Sequence, residues 1–111
     1  MNATIYHNPR CSKSRAALAL LTGACADVTV IEYLKTPLTR DELAALLTRA
    51  NLTPRDALRT GETEAKPLKN AEDAAILDAM AKHPILIERP IVETAKGVLI
   101  ARPPERVHEI L

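Results

Sequence analysis

The sequence has 111 residues, 47% apolar and 26% charged, with a formal net charge of +1. That is enough chain for one domain whose core needs no disulfide or metal, and too little charge to steer it toward nucleic acid or a membrane. Tyr6 and Tyr33 are the only aromatic residues, too few to build the stacking platforms that single-stranded nucleic acid requires. Two cysteines, Cys11 and Cys25, do not make a secreted disulfide scaffold. The first residues lack the charged start and long apolar run of a signal peptide. No stretch approaches the roughly 20 consecutive apolar residues of a membrane span. The expectation is a cytoplasmic protein, in a reducing compartment where a cysteine is free to act as a nucleophile.

In chain order, Ala3–Tyr6 is short, β-branched and aromatic, and predicts a first strand. His7-Asn8-Pro9-Arg10 follows as a turn, favoured by its Asn-Pro step. A helix is expected from about Ser12 to Thr22, with Ala17, Leu18 and Leu21 apolar and Gly23 as its C′ residue. Val28–Ile31 predicts a second strand, parallel to the first because a helix connects them. Thr39-Arg40-Asp41-Glu42 fits a capping box, and Leu43, Leu46 and Leu47 follow at helical spacing. Thr53-Pro54 predicts a shorter helix with proline at its first position. Residues 60–68, polar and interrupted by Pro67, read as loop. Asn70 is expected to cap a helix with Ile76, Leu77 and Met80 on its apolar face, ending before Pro84. Ile91-Val92 and Val98–Ile100 flank Gly97 as a hairpin, and Pro103-Pro104 opens a last helix carrying Val107, Ile110 and Leu111.

The order is therefore βαβ, a helical block over about 39–83, then ββα. Connection rules leave few ways to build one sheet from these pieces. The prediction is an α/β protein with a thioredoxin-like four-stranded mixed sheet, a single domain over 1–111, and helices inserted between the two halves.

Cys11 falls just after the first strand, at the start of the first helix. A thiolate there meets unpaired backbone N–H groups and the positive end of the helix dipole. Arg10, Lys13 and Arg15 are close in sequence and bring further positive charge, to which His7 would add if protonated. Such surroundings lower a thiol pKa from about 8.5 and raise the thiolate fraction at neutral pH. The competing role, a buried apolar cysteine, is common for this residue type. Cys11-Ser12-Lys13-Ser14 is a C-x-x-S, so the second thiol of a dithiol motif is a serine. C-x5-R, a phosphate-cradling loop, is excluded because Ala17 takes the arginine position. Cys25 lies beyond the far end of the helix, roughly 21 Å away at 1.5 Å per residue. A disulfide needs Cα atoms within about 7 Å, so Cys25 reads as a small buried side chain and Cys11 as a monothiol. His83 and His108 form no ligand-spaced cluster with a cysteine, and no metal site is expected.

Three segments together resemble a known family: Tyr6-His7-Asn8-Pro9-Arg10-Cys11-Ser12-Lys13-Ser14-Arg15, then Pro84-Ile85-Leu86-Ile87-Glu88-Arg89-Pro90-Ile91, then Gly97 with Arg102-Pro103. Over essentially the whole chain they are similar to the arsenate reductases that use glutathione and glutaredoxin, in a short subgroup. The resemblance implies that Cys11 attacks arsenate or a similar oxyanion, and that Arg59, Arg89 and Arg102 hold the oxyanion. It also implies that His7, Ser14 and Arg15 support activation of Cys11, and that Pro90 is a structural cis-proline facing the cysteine. The resemblance further implies no bound cofactor, glutathione as a co-substrate and glutaredoxin as a partner, and a monomer is expected. Planar guanidinium groups suit a tetrahedral oxyanion because they donate bidentate, charge-assisted hydrogen bonds.

Ser12 and Lys13, with Arg10, depart from the smaller neutral residues expected there, and the added cations are expected to tighten oxyanion binding or shift it to another anion. Two other functions fit the same residues. One is a monothiol oxidoreductase acting on glutathione mixed disulfides. The other is a non-catalytic regulator like the relatives that bind RNA polymerase, although those keep the second cysteine that Ser14 replaces here. A catalytically idle domain that retains the fold is a third reading, marked by a thiol of ordinary reactivity.

Overall fold

Four short strands build one sheet in the computed structural model, which describes residues 1–25 and 27–111. They are β1 (Asn2–Tyr6), β2 (Asp27–Ile31), β3 (Ile91–Thr94) and β4 (Gly97–Ile100), in the order β2-β1-β3-β4. β1 runs parallel to β2, with Ile5 opposite Val30, and antiparallel to β3, with Ile5 opposite Val92. β3 and β4 form the expected antiparallel hairpin, Val92 opposite Leu99. A parallel pair needs a crossover, and α1 (Ser12–Ala24) supplies it. The mixed α/β sheet is the one the sequence predicts.

The chain divides into two compact units, Met1–Thr36 with Arg89–Leu111, and Pro37–Glu88. The first holds the sheet. Its core is Ala3 and Ile5 of β1, Ala17 and Leu21 of α1, Val92 and Leu99 of the hairpin, and Val107 and Ile110 of the last helical segment. Ala17 and Leu21 are fully buried at i and i+4, and Ser14 extends the same face one turn toward the helix start, also fully buried. Burying a leucine such as Leu21 contributes about 1.5–3 kcal/mol, so this face fixes how α1 sits, and with it where Cys11 begins the helix. Cys25 packs against the same core, partly buried.

The second unit is helical. α2 (Arg40–Arg49) opens with the predicted capping box: Thr39 Oγ1 accepts from the Glu42 N–H at 3.1 Å, and Glu42 Oε1 accepts from the Thr39 N–H at 3.0 Å. It closes through Asn51 at φ 58, the Leu52 N–H reaching back to the Leu47 carbonyl at 2.9 Å. α3 (Asp73–Lys82) buries Ile76, Leu77 and Met80, the face expected of it. Arg40 and Asp78 form an ion pair between the two helices.

Several boundaries differ from expectation. Gly23 is not a C′ residue: α1 continues to Ala24, and extended Cys25 closes it by donating its N–H to the Leu21 carbonyl at 2.8 Å. Thr53-Pro54 opens no helix. Thr53 and Asp56 cap a single turn reciprocally, after which Leu58 bridges to Ile87 and the Arg59 N–H reaches the Leu86 carbonyl at 2.7 Å. Helix continuation would forfeit that bridge. Residues expected as loop contain a 3-10 helix, Thr63–Leu68, that includes Pro67. Asn70 is not the N-cap of α3; Glu72 holds that position without a side-chain capping bond, because the Ala71 N–H closes a turn onto the Leu68 carbonyl at 3.1 Å and the Ala71 carbonyl accepts from Arg55 at 2.5 Å. The last segment is a 3-10 helix, Pro104–Ile110, with Pro103 just outside it.

Candidate active site

Cys11 is the N-cap residue of α1, in extended conformation at φ −95 and ψ 122. Its N–H donates to the Asn8 carbonyl at 3.0 Å, and its own carbonyl accepts the first helical bond, from the Arg15 N–H, at 3.0 Å. The turn ahead of it is held by three groups of Asn8. Besides that carbonyl, Oδ1 accepts from the Arg10 N–H at 3.0 Å, and the Asn8 N–H donates to Ser14 Oγ at 3.0 Å. Arg15 pins the same turn from outside, donating from Nη1 to the Pro9 carbonyl at 2.9 Å.

The sulfur is partly buried. Burial pushes its pKa up, but the backbone N–H groups of Ser14 and Lys13 hydrogen-bond to it and pull it down. The Arg89 guanidinium adds a positive charge and a hydrogen bond, and the balance leaves the thiol below its ordinary value. The named cation is Arg89, some 80 residues away along the chain, together with N–H groups rather than the side chains of Arg10 or Lys13.

His7 is buried, its Nδ1 2.7 Å from Ser14 Oγ, with donor and acceptor set by the imidazole tautomer. Burial lowers its pKa, Glu32 opposes that, and Arg15 adds to it, so the net direction is downward. The imidazole is therefore neutral at physiological pH. In the structure His7 holds the Ser14 hydroxyl, which also accepts from the Asn8 N–H. His7, Asn8 and Ser14 thus form a buried polar cluster directly under the cysteine turn.

Arg89 and Arg102 stand in corresponding places, each before a proline, and both the Arg89–Pro90 and Arg102–Pro103 peptides are cis. Arg102 donates from Nη1 to the Arg89 carbonyl at 3.1 Å. The Ala101 N–H donates to the Pro90 carbonyl at 2.9 Å, tying the two proline turns together through the main chain. Pro90 is buried. Cys11, Arg89 and Arg102 are thus linked within the first unit, with His7, Ser14 and Arg15 bracing the cysteine turn. Arg59 belongs to the second unit, where it pairs with Glu62 at 3.0 Å, both side chains partly buried.

Sequence reasoning missed Asn8, which it took only as a turn former. An asparagine two residues before arginine and three before cysteine, at an Asn-Pro step, was the available signal. It also missed Glu32, which lies near His7 through the parallel pairing of β1 with β2. No local pattern marks that residue. Among the described residues, no group of three His, Cys, Asp or Glu side chains is placed to hold a metal ion, and no helix is long and apolar enough to cross a membrane.

Comparison with known proteins gives this geometry its context. The chain is 45% identical to an arsenate reductase of Rhizobium meliloti, covering all of this chain and 82% of that protein. It is 49% identical to an arsenate reductase of Synechocystis, over 96% of this chain and 79% of the relative. The solved structure of an arsenate reductase from Vibrio cholerae superposes with a TM-score of 0.93 at 44% identity, over 100% of this chain and 98% of that one. The fold is accordingly the thioredoxin-like fold of that group. Residues 6–110 match the ArsC family, and the chain belongs to it.

Proposed function

We propose that the protein is an arsenate reductase, an oxidoreductase that uses Cys11 as nucleophile and a thiol as reductant. The observation that carries this is the pairing of a lowered-pKa thiol with Arg89, whose guanidinium reaches the sulfur from a turn braced by Arg102. A nucleophile and an oxyanion-binding cation are thereby held side by side.

The chemistry follows from the monothiol arrangement. The Cys11 thiolate attacks arsenic and forms an S–As bond while an arsenate oxygen departs as water after protonation. The thiolate of glutathione then attacks Cys11 Sγ. An S–S bond forms, the S–As bond breaks with its electron pair passing to arsenic, and As(V) becomes As(III). Two sulfurs have lost the two electrons that arsenic gained. Glutaredoxin takes the glutathionyl group by exchange and returns the Cys11 thiolate. Ser14 in place of a second cysteine is what makes an external thiol necessary.

Arg89 and Arg102 neutralise the oxyanion in this proposal. The family resemblance gives Arg59 the same role. Since its guanidinium is paired with Glu62, taking an oxyanion means exchanging one anionic partner for another. Glutathione, glutaredoxin, action as a monomer and a cytoplasmic location complete the proposal, the last because it is the compartment where such reductants are kept reduced.

The deciding experiment is arsenate-dependent NADPH oxidation coupled through glutathione reductase, glutathione and glutaredoxin, with Cys11→Ser as control. Turnover that vanishes in the variant is expected. No turnover, with Cys11 still titrating below an ordinary thiol, would move the activated site to another substrate.

A further inference from the structure

Beside the cysteine turn lies a cleft of about 210 Å³, walled by His7–Arg10 on one side and by Glu32, Leu34 and Lys35, just past β2, on the other. Both walls belong to the first unit. Its charged groups are two cations, Arg10 and Lys35, and one carboxylate, Glu32, which pairs with Lys35 at 3.5 Å. His7 faces the same space as a neutral ring. Arg10 and Lys35 are exposed, and the Lys35–Glu32 pair is solvated and easily opened. Arg10 directly precedes Cys11 in the chain, and the cysteine itself lies outside the cleft.

The charge pattern selects a ligand. Two cations and one carboxylate complement a zwitterion, whose carboxylate meets the cations and whose ammonium meets Glu32, whereas a simple anion would meet Glu32 as a like charge. We propose that this cleft binds the γ-glutamyl end of glutathione, a role that rests on the thiol-dependent reductase described above. The α-carboxylate lies between Arg10 and Lys35, the α-ammonium displaces Lys35 from Glu32, and exposed Leu34 covers the methylenes. The glycyl end of the tripeptide carries a carboxylate without an ammonium and leaves Glu32 unanswered, which sets the orientation. The volume is below the roughly 300–1,000 Å³ of a site enclosing a whole drug-sized ligand. It suits one end of a tripeptide whose cysteine must remain outside, at Cys11.

The test separates this subsite from the reductase assignment by measuring binding without turnover. S-methylglutathione carries the same γ-glutamyl end but no thiol. Titrated into the reduced protein and followed by amide-resolved NMR, it should shift the amides of Asn8, Arg10, Glu32 and Lys35 saturably. S-methylcysteinylglycine, which lacks the γ-glutamyl unit, should not. Lys35→Ala should weaken S-methylglutathione binding about tenfold, and Lys35→Glu further, because a charge-assisted contact is removed and then reversed. In turnover, Lys35→Ala should raise the KM for glutathione while leaving the KM for arsenate and the pH profile of Cys11 alkylation in place. Shifts confined to other amides, or equal affinity in Lys35→Glu, would overturn the subsite even if arsenate turnover is intact. Saturable, Lys35-dependent binding in a protein that does not reduce arsenate would uphold the subsite and dismiss only the substrate.

Discussion

Arg102 donates a hydrogen bond from Nη1 to the main-chain carbonyl of Arg89 at 3.1 Å, so one arginine fixes the backbone from which the other reaches Cys11. Hydrogen bonds from charged donors contribute about 1.5–3 kcal/mol. Lysine keeps the charge but not the planar fork that reaches a carbonyl and an oxyanion together. Arg102→Lys should therefore raise the KM for arsenate roughly tenfold, the factor that 1.4 kcal/mol represents. It should also move the Cys11 alkylation profile to higher pH. A shift in KM with an unmoved profile would mean that Arg102 binds the oxyanion but does not position Arg89.

Arg89→Met should raise the thiol pKa directly, since it removes a positive charge and a hydrogen bond from the sulfur. Iodoacetamide alkylation across pH reads this, and an unchanged profile would remove Arg89 from the account. The same depression has a stability consequence. The folded thiol holds its proton less tightly than the unfolded chain, so its contribution is fully present above the unfolded value of about 8.5. That contribution is lost as pH falls through the lower folded value. In urea titrations, wild type should gain on Cys11→Ser between those two points, and the gain should disappear on the acid side.

Ser14→Ala should destabilise the protein by about 1–3 kcal/mol, because it leaves the Asn8 N–H and His7 Nδ1 without their shared buried partner. The backbone N–H of residue 14 survives the change, so the alkylation profile should move less than in Arg89→Met. Urea unfolding and alkylation, done on the same samples, distinguish the two. A profile moved as far as by Arg89→Met would show that the hydroxyl tunes the sulfur itself.

Cys25→Ala should leave arsenate turnover unchanged and cost about 1 kcal/mol or less in stability, a common size for a substitution of this kind. Cys25 closes α1 with its backbone and packs its side chain against the core, partly buried. A large fall in kcat would instead make it a participant in the thiol chemistry.

The sheet was legible because β1, β2 and the hairpin strands are short β-branched runs punctuated by Pro9, Gly97 and Pro103. The position of Cys11 at a helix start followed from the same punctuation. Errors gathered where backbone hydrogen bonds outside the local segment decide the outcome. The Thr53-Pro54 signal is real, and it caps a turn, but the Leu58–Ile87 bridge ends that turn after one repeat. Asn70 is a good cap residue in isolation, yet Arg55 claims the Ala71 carbonyl and helix α3 starts two residues later. At the site, the burial of His7 was not legible, because burial is a tertiary property. Only the resemblance, not any local spacing, set Arg89 beside Cys11.

The lowered thiol of Cys11 matters at both ends of a catalytic cycle. Sulfur that gives up its proton readily also gives up a bonding partner readily, since the better stabilised thiolate is the better leaving group. The N–H groups of Lys13 and Ser14 and the Arg89 guanidinium are the groups that stabilise this anion. In a mixed disulfide on Cys11, they bias an incoming thiolate toward the outer sulfur and expel Cys11 as the stabilised anion. The helix start that readies the enzyme for attack is therefore also what lets it be set free.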